Sequence, residues 1–237
     1  MGVLVYPDPQ VLAREAAARI VGALASRGNT RLTLGLAGGE TPRATYAELA
    51  RATFDWRRVD LWLSDERWVP PRDDRSNGAM VESLLASRVD APLHRPDFDE
   101  DRGPHWSAAA YEETLRRIVA GGRPDVVVLG MGADGHTASL FPGTPALEVR
   151  DRWYVANRVP ETGEWRLTAT FPLLLAAERI FVLVAGAAKA STLRAVLEGS
   201  LGVLPCQRLL AAGDRLEWLV DADAAAELRS LRPGRPV

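Results

Sequence analysis

Apolar residues change period repeatedly along this chain, from short continuous runs to helical spacing and back. Val3–Tyr6 is a short apolar run. Val11, Leu12, Ala16, Ile20, Val21 and Leu24 follow at the spacing of one helix face. Leu32–Leu36 (LTLGL) and Val59–Leu63 read as strands. Asp125–Leu129 (DVVVL) and Ile180–Val184 read as buried ones, being continuous and largely β-branched. Trp153–Ala156, Trp165–Phe171 and Leu216–Val220 complete the strand set. Between them the spacing predicts a helix opened by Thr41 as N-cap with Pro42 at its first position. It predicts others capped by Ser76 or Asn77 and running to Ser87, over Trp106–Ala120, and over Ala187–Leu197. Ser64 to Arg75 and residues 90–104 read as loops, and the closing RPGRPV as a tail. Strands that alternate with helices predict an α/β fold, a mainly parallel sheet with helices on both faces. With 237 residues and no repeat or strong linker, one domain over 1–237 is expected.

Composition narrows the function. At 47% hydrophobic and 25% charged residues the chain can bury a full core without covalent staples. Cys206 is its one cysteine, which excludes an internal disulfide framework and an all-cysteine metal cage. A net charge of -2 argues against nucleic acid as a partner. The start, MGVLVYPDPQ, lacks the basic-then-apolar pattern of a secretory leader. The longest apolar stretch, around Phe181–Ala188, is too short for a membrane span. A cytoplasmic protein with no membrane partner is expected. Lys189 is the only lysine; every other basic residue is arginine, so Lys189 marks a place where arginine is a poor substitute.

In a parallel sheet, ligands sit beyond the carboxyl ends of the strands. That places the chemistry in four loops. After Leu36, Ala37-Gly38-Gly39-Glu40-Thr41-Pro42 joins two glycines to a helix start, a natural anion site, although Glu40 would repel a phosphate unless it faces solvent. After Leu63, Asp65 can accept from sugar hydroxyls, Arg67 can clamp a phosphate, and Asn77 further on can cap a helix or touch a hydroxyl. After Leu129 comes GMGADGHTASLFPG. Its glycines, Gly132 among them, let backbone approach a ligand, and His136 stands two residues after Asp134, which can orient the imidazole of a general base. The other histidines, His94 and His105, read as surface residues. After Val184, Gly186 precedes Lys189 at a helix start, where a cation opposes the helix dipole and calls for an anion. There is no HExxH, no CxxC and no GxSxG, so neither a zinc site nor a serine nucleophile is expected.

Taken together, Gly38-Gly39 with Thr41-Pro42, Asp65-Glu66-Arg67 with Val69-Pro70 and Ser76-Asn77, GMGADGHTASLFPG, Arg166, and Gly186 with Lys189 resemble the 6-phosphogluconolactonase family, in order and over nearly the whole chain. The resemblance implies hydrolysis of 6-phosphoglucono-δ-lactone to 6-phosphogluconate in the oxidative pentose phosphate pathway, with no metal or organic cofactor. It implies a Rossmann-like sheet shared with glucosamine-6-phosphate deaminase. It puts the base on His136 with Asp134 beside it, phosphate contacts on Gly38, Gly39, Thr41, Arg67 and Lys189, and Arg166 near the substrate. The partner implied is a small sugar-phosphate lactone, and a monomer is the simplest expectation.

Ala37 and Glu40 stand where the family loop carries serines, and Pro160–Trp165 lacks the family's proline- and lysine-rich run. Two rivals are set against this reading. The deaminase motif carries a glutamate after its histidine, where this chain has Phe141, which cannot move a proton. A non-catalytic sugar-phosphate regulator would not need the His136–Asp134 pair.

Overall fold

The computed structural model describes residues 2–28 and 30–229. Its first half runs β1 (Gly2–Tyr6), α1 (Pro9–Ala25), β2 (Leu32–Leu36), α2 (Glu40–Leu49), β3 (Val59–Leu63), β4 (Asp65–Arg67), α3 (Asn77–Val81), α4 (Ser87–Val89), β5 (Leu93–His94) and α5 (Gly103–Ile118). Its second half runs β6 (Val126–Gly130), β7 (Tyr154–Arg158), β8 (Trp165–Ala169), α6 (Phe171–Ala176), β9 (Arg179–Val184), α7 (Ala190–Glu198), β10 (Leu216–Asp221) and α8 (Ala222–Ala225). Seven strands pair in the order β1-β10-β9-β6-β2-β3-β5, all parallel.

Strand periodicity builds two cores. On β6, Val126 and Val128 face the layer of α1 and α2, with Leu12, Ile20, Leu24, Tyr46 and Leu49. Val127 and Leu129 face the other layer, with Tyr111 and Leu115 of α5 and Leu193 and Val196 of α7. Strands covered on both faces must be apolar throughout, which is why β6 and β9 read as unbroken runs. Helix α1 starts where the Val11 amide donates to Asp8 at 2.8 Å and Pro9 needs no donor of its own.

The topology places the site. From β2 the chain steps outward to β3 and β5, then returns to the other side of β2 as β6 and steps outward again to β9 and β10. The direction reverses between β2 and β6, so their outgoing loops diverge and leave a crevice at the carboxyl ends.

Several expectations are corrected. Thr41 is not an N-cap: α2 begins at Glu40, with Gly39 at the cap in a left-handed conformation (φ 103°) and no capping side chain. The loop Ser64–Arg75 contains β4, and residues 90–104 contain the edge strand β5. The strands near Trp153 and Trp165 do not join the large sheet; with β4 they form a second, antiparallel sheet in the order β4-β8-β7. Helix α3 passes into a π turn, Glu82–Ala86, before α4, and Ala187–Lys189 is a 3-10 turn ahead of α7. The RPGRPV tail lies outside the described residues.

Candidate active site

The four loops named from sequence converge on one cleft of about 410 Å³ at the reversal point, lined among others by Gly38, Gly39, Thr41, Asp65, Arg67, Asn77, Gly132, His136 and Lys189. Residues up to 152 positions apart in the chain, Ala37 and Lys189, thus share one surface, because parallel strands in register end at one level.

His136 Nδ1 lies 2.5 Å from Asp134 Oδ1, and the same oxygen accepts from the His136 amide at 3.1 Å. With Asp134 ionised, Nδ1 carries the proton and Nε2 holds the free lone pair. The ring of Phe141 packs against the imidazole, centroids 4.6 Å apart. Gly132 makes room for this pair: a Cβ there would fall 2.1 Å from His136 Nδ1 and 2.5 Å from Asp134 Oδ1. Its amide donates to the His136 carbonyl at 2.9 Å, folding the loop back on itself. Gly38 plays the same part for Asn77, whose Oδ1 would lie 2.0 Å from a Cβ at position 38.

Asp65 is buried and accepts from Ser139 Oγ at 2.7 Å, while the Asn77 side-chain amide donates to the Asp65 carbonyl at 2.9 Å. Ser139 is held in turn: its amide donates to Thr168 Oγ1 and its carbonyl accepts from the Asn157 amide. Ser139 escaped the sequence reading because its partner Asp65 is 74 positions away. Ala138, between His136 and Ser139, has a left-handed backbone (φ 47°) unusual for a residue with a side chain, and it lines the cleft.

Arg67 and Lys189 bring positive charge to the cleft, beside the carboxylates of Glu40 and Asp65. Glu40 also borders the cleft, with its side chain 90% exposed and 3.5 Å from Arg43. The start of α2 presents its dipole to the cleft from Gly39 and Thr41. Among the described residues, Lys189 and Arg67 form no ion pair with a carboxylate. Arg67 instead donates through Nη1 to the Arg75 carbonyl. Arg166 does not line the cleft. It is the cross-strand neighbour of Arg67 on β8, and its guanidinium pairs with Glu164 at 3.2 Å. His105 is exposed as expected, but His94 is not a free surface residue: its Nε2 lies 2.7 Å from the buried Asp60 carboxylate.

Residues 7–218 match the family of glucosamine-6-phosphate isomerases/6-phosphogluconolactonase, and the chain belongs to that family. Within it, a 6-phosphogluconolactonase of Nostoc is 39% identical over 208 residues, 84% of this chain and 85% of the relative. The solved 6-phosphogluconolactonase of Trypanosoma brucei superposes with a TM-score of 0.85 at 27% identity, covering 96% of this chain and 98% of that one. A monomeric glucosamine-6-phosphate deaminase of the NagB superfamily shares the fold, with a TM-score of 0.79 at 24% identity over 96% of this chain and 100% of that one.

Proposed function

We propose that this protein hydrolyses 6-phosphoglucono-δ-lactone to 6-phosphogluconate, the lactonase step of the oxidative pentose phosphate pathway, with His136 as general base. The observation that carries the reading is His136 lining the cleft with Asp134 paired behind its imidazole and Phe141 against the ring. Nε2 takes a proton from water as the water oxygen attacks the lactone carbonyl carbon, C1. The tetrahedral oxyanion collapses, the C1–O bond to the ring oxygen breaks, and His136 returns the proton to that oxygen. Asp134 stabilises the imidazolium formed between these steps and keeps Nε2 aimed at the substrate.

The phosphate end of the sugar is read by the start of α2, Arg67 and Lys189; its binding holds C1 in place and lends remote binding energy to the reaction. Asp65 and Asn77 serve the sugar hydroxyls. Gly38 and Gly132 act by leaving space for Asn77 and the catalytic pair rather than by touching substrate through side chains. The deaminase alternative needs a second proton-transfer group beside the histidine, and that place is filled by Phe141.

The test is dehydrogenase-coupled formation of 6-phosphogluconate, corrected for spontaneous lactone hydrolysis, beside ammonia release from glucosamine 6-phosphate. Lactonase turnover without ammonia is the expected result. Ammonia release without lactonase turnover would overturn the proposal.

A further inference from the structure

Glu66 is a buried carboxylate that the hydrolytic scheme leaves unused. It sits between the cleft residues Asp65 and Arg67 on β4, with 6% of its surface exposed. Its Oε1 accepts from the Arg67 amide and the Asn77 amide, both at 2.7 Å. Its Oε2 accepts from the Gly78 amide at 2.7 Å and from Ser76 Oγ at 2.9 Å. Among the described residues no cation pairs with it. One carboxylate therefore closes the whole excursion from Arg67 to Gly78, and its charge is met by four donors from that loop. The donors are not arbitrary: Arg67 and Asn77 both line the cleft. The Arg67 guanidinium also rests on the carbonyl of Arg75, just before the clamped segment, so its direction depends on where that segment lies.

We infer that Glu66 is a positioning residue, whose carboxylate sets the distance and orientation between the Arg67 guanidinium and the Asn77 side chain and so governs how tightly the phosphorylated substrate is held. This rests on the reading of Arg67 and Asn77 as substrate contacts. A carboxylate is required because all four partners are donors. Glu66→Gln keeps the shape, but its NH2 faces donors on one side and can satisfy at most half of them. Glu66→Asp keeps the charge on a shorter stem and falls between the two. The catalytic pair of His136 and Asp134 lies on a different loop and is untouched by either change.

The experiment measures KM and kcat for the phosphorylated lactone in Glu66→Gln and Glu66→Asp, with thermal melts and amide hydrogen exchange on the same samples. Glu66→Gln is expected to raise KM about tenfold or more, as for the loss of one charge-assisted contact, with kcat nearly kept. Exchange should quicken at Arg67, Asn77 and Gly78 and stay slow in β6. A purely structural Glu66 would lower the melting temperature and the active fraction at unchanged KM, and that result overturns the inference.

If Glu66→Gln does not fold, Gly78→Ala decides. Its Cβ would sit 3.0 Å from Glu66 Oε2 and 2.9 Å from Arg95 Cδ, displacing the clamp at a helical position that favours alanine. A raised KM with the melting temperature kept supports the inference; an unchanged KM overturns it. If the wild type shows no lactonase turnover, the proposed function fails separately. Glu66 is then judged by NMR titration with inorganic phosphate. Weaker binding in Glu66→Gln than in the wild type supports it, and equal or undetectable binding in both overturns it.

Discussion

His136 has its Asp134 partner two residues away, so the pair is built by local chain geometry. His136→Asn should leave the fold and ligand binding intact and reduce kcat by about 10²–10⁴-fold, the usual worth of a positioned general base. The same change at exposed His105 should leave the rate unaltered; coupled lactonase assays on both variants check this. Gly132 offers a sharper test of geometry, because its backbone accepts alanine while its space does not: the added methyl would overlap the imidazole and the Asp134 carboxylate. Gly132→Ala is expected to lose about 10²-fold in kcat while circular dichroism stays native, the scale set by an ångström of misplacement at a reacting group. Lys189, which lines the same cleft, is proposed to act at the phosphate end of the substrate. Lys189→Ala should raise KM for the phosphorylated lactone by roughly ten- to a hundredfold, the cost of a charge-assisted hydrogen bond. Lys189→Arg should also raise it, since a planar fork replaces a compact ammonium. Hydrolysis of unphosphorylated gluconolactone, assayed in parallel, should hardly change in either.

Two buried carboxylates fasten secondary elements to each other, and both titrate with folding. Asp60 on β3 accepts from Arg31 ahead of β2 and faces His94 on β5. Burial pushes its carboxyl up, but Arg31 and His94 outweigh that and hold it below the ordinary carboxylate value. Glu112 on α5 accepts from the Trp153 amide and from Arg152 and Arg116, tying α5 to the entry of β7. Burial pushes Glu112 up as well, and these three donors bring it below its ordinary value. A carboxyl that is more acidic folded than unfolded stabilises the fold above its unfolded pKa and loses that contribution as pH falls through the folded one. Stability from urea titrations should therefore be level near neutrality and fall below about pH 4. The double variant Asp60→Asn, Glu112→Gln should be less stable at pH 7, by roughly 1–3 kcal/mol for each site, and show a shallower acid slope. An acid slope as steep as the wild type's would remove these two groups from the account. β5 has two residues and β4 three, too few to print an apolar period, so both hid inside sequences that read as loop. Their strand character comes from neighbours: β5 completes the edge beside β3, and β4 pairs with a strand about a hundred positions later.

For the molecule as a whole, binding and turnover should separate. A ligand that fills the cleft at about a hundred times its Kd adds about 2.7 kcal/mol to stability, which for a chain of this size raises the melting temperature on the order of 5–10 °C. 6-Phosphogluconate should produce that shift in the wild type and in His136→Asn alike, and much less in Lys189→Ala; differential scanning fluorimetry reads all three. The amino-acid sequence by itself determined the layered α/β class. Apolar runs such as Val126–Leu129 fit strands buried on both faces, and the helical periods alternating with them supply the cover of a parallel sheet. It also singled out the loops that meet at the cleft, since their glycines and the Asp134–His136 spacing are local facts. Only the tertiary structure decided that the chain divides into a seven-stranded parallel sheet and a separate three-stranded one, that Ser139 holds Asp65, that Glu66 closes on Ser76–Gly78, and that Arg166 pairs with Glu164. The reason is physical: periodicity reports how each segment meets its own environment, whereas a hydrogen bond or ion pair between distant positions depends on where the sheet carries both ends, and no short stretch of residues encodes that.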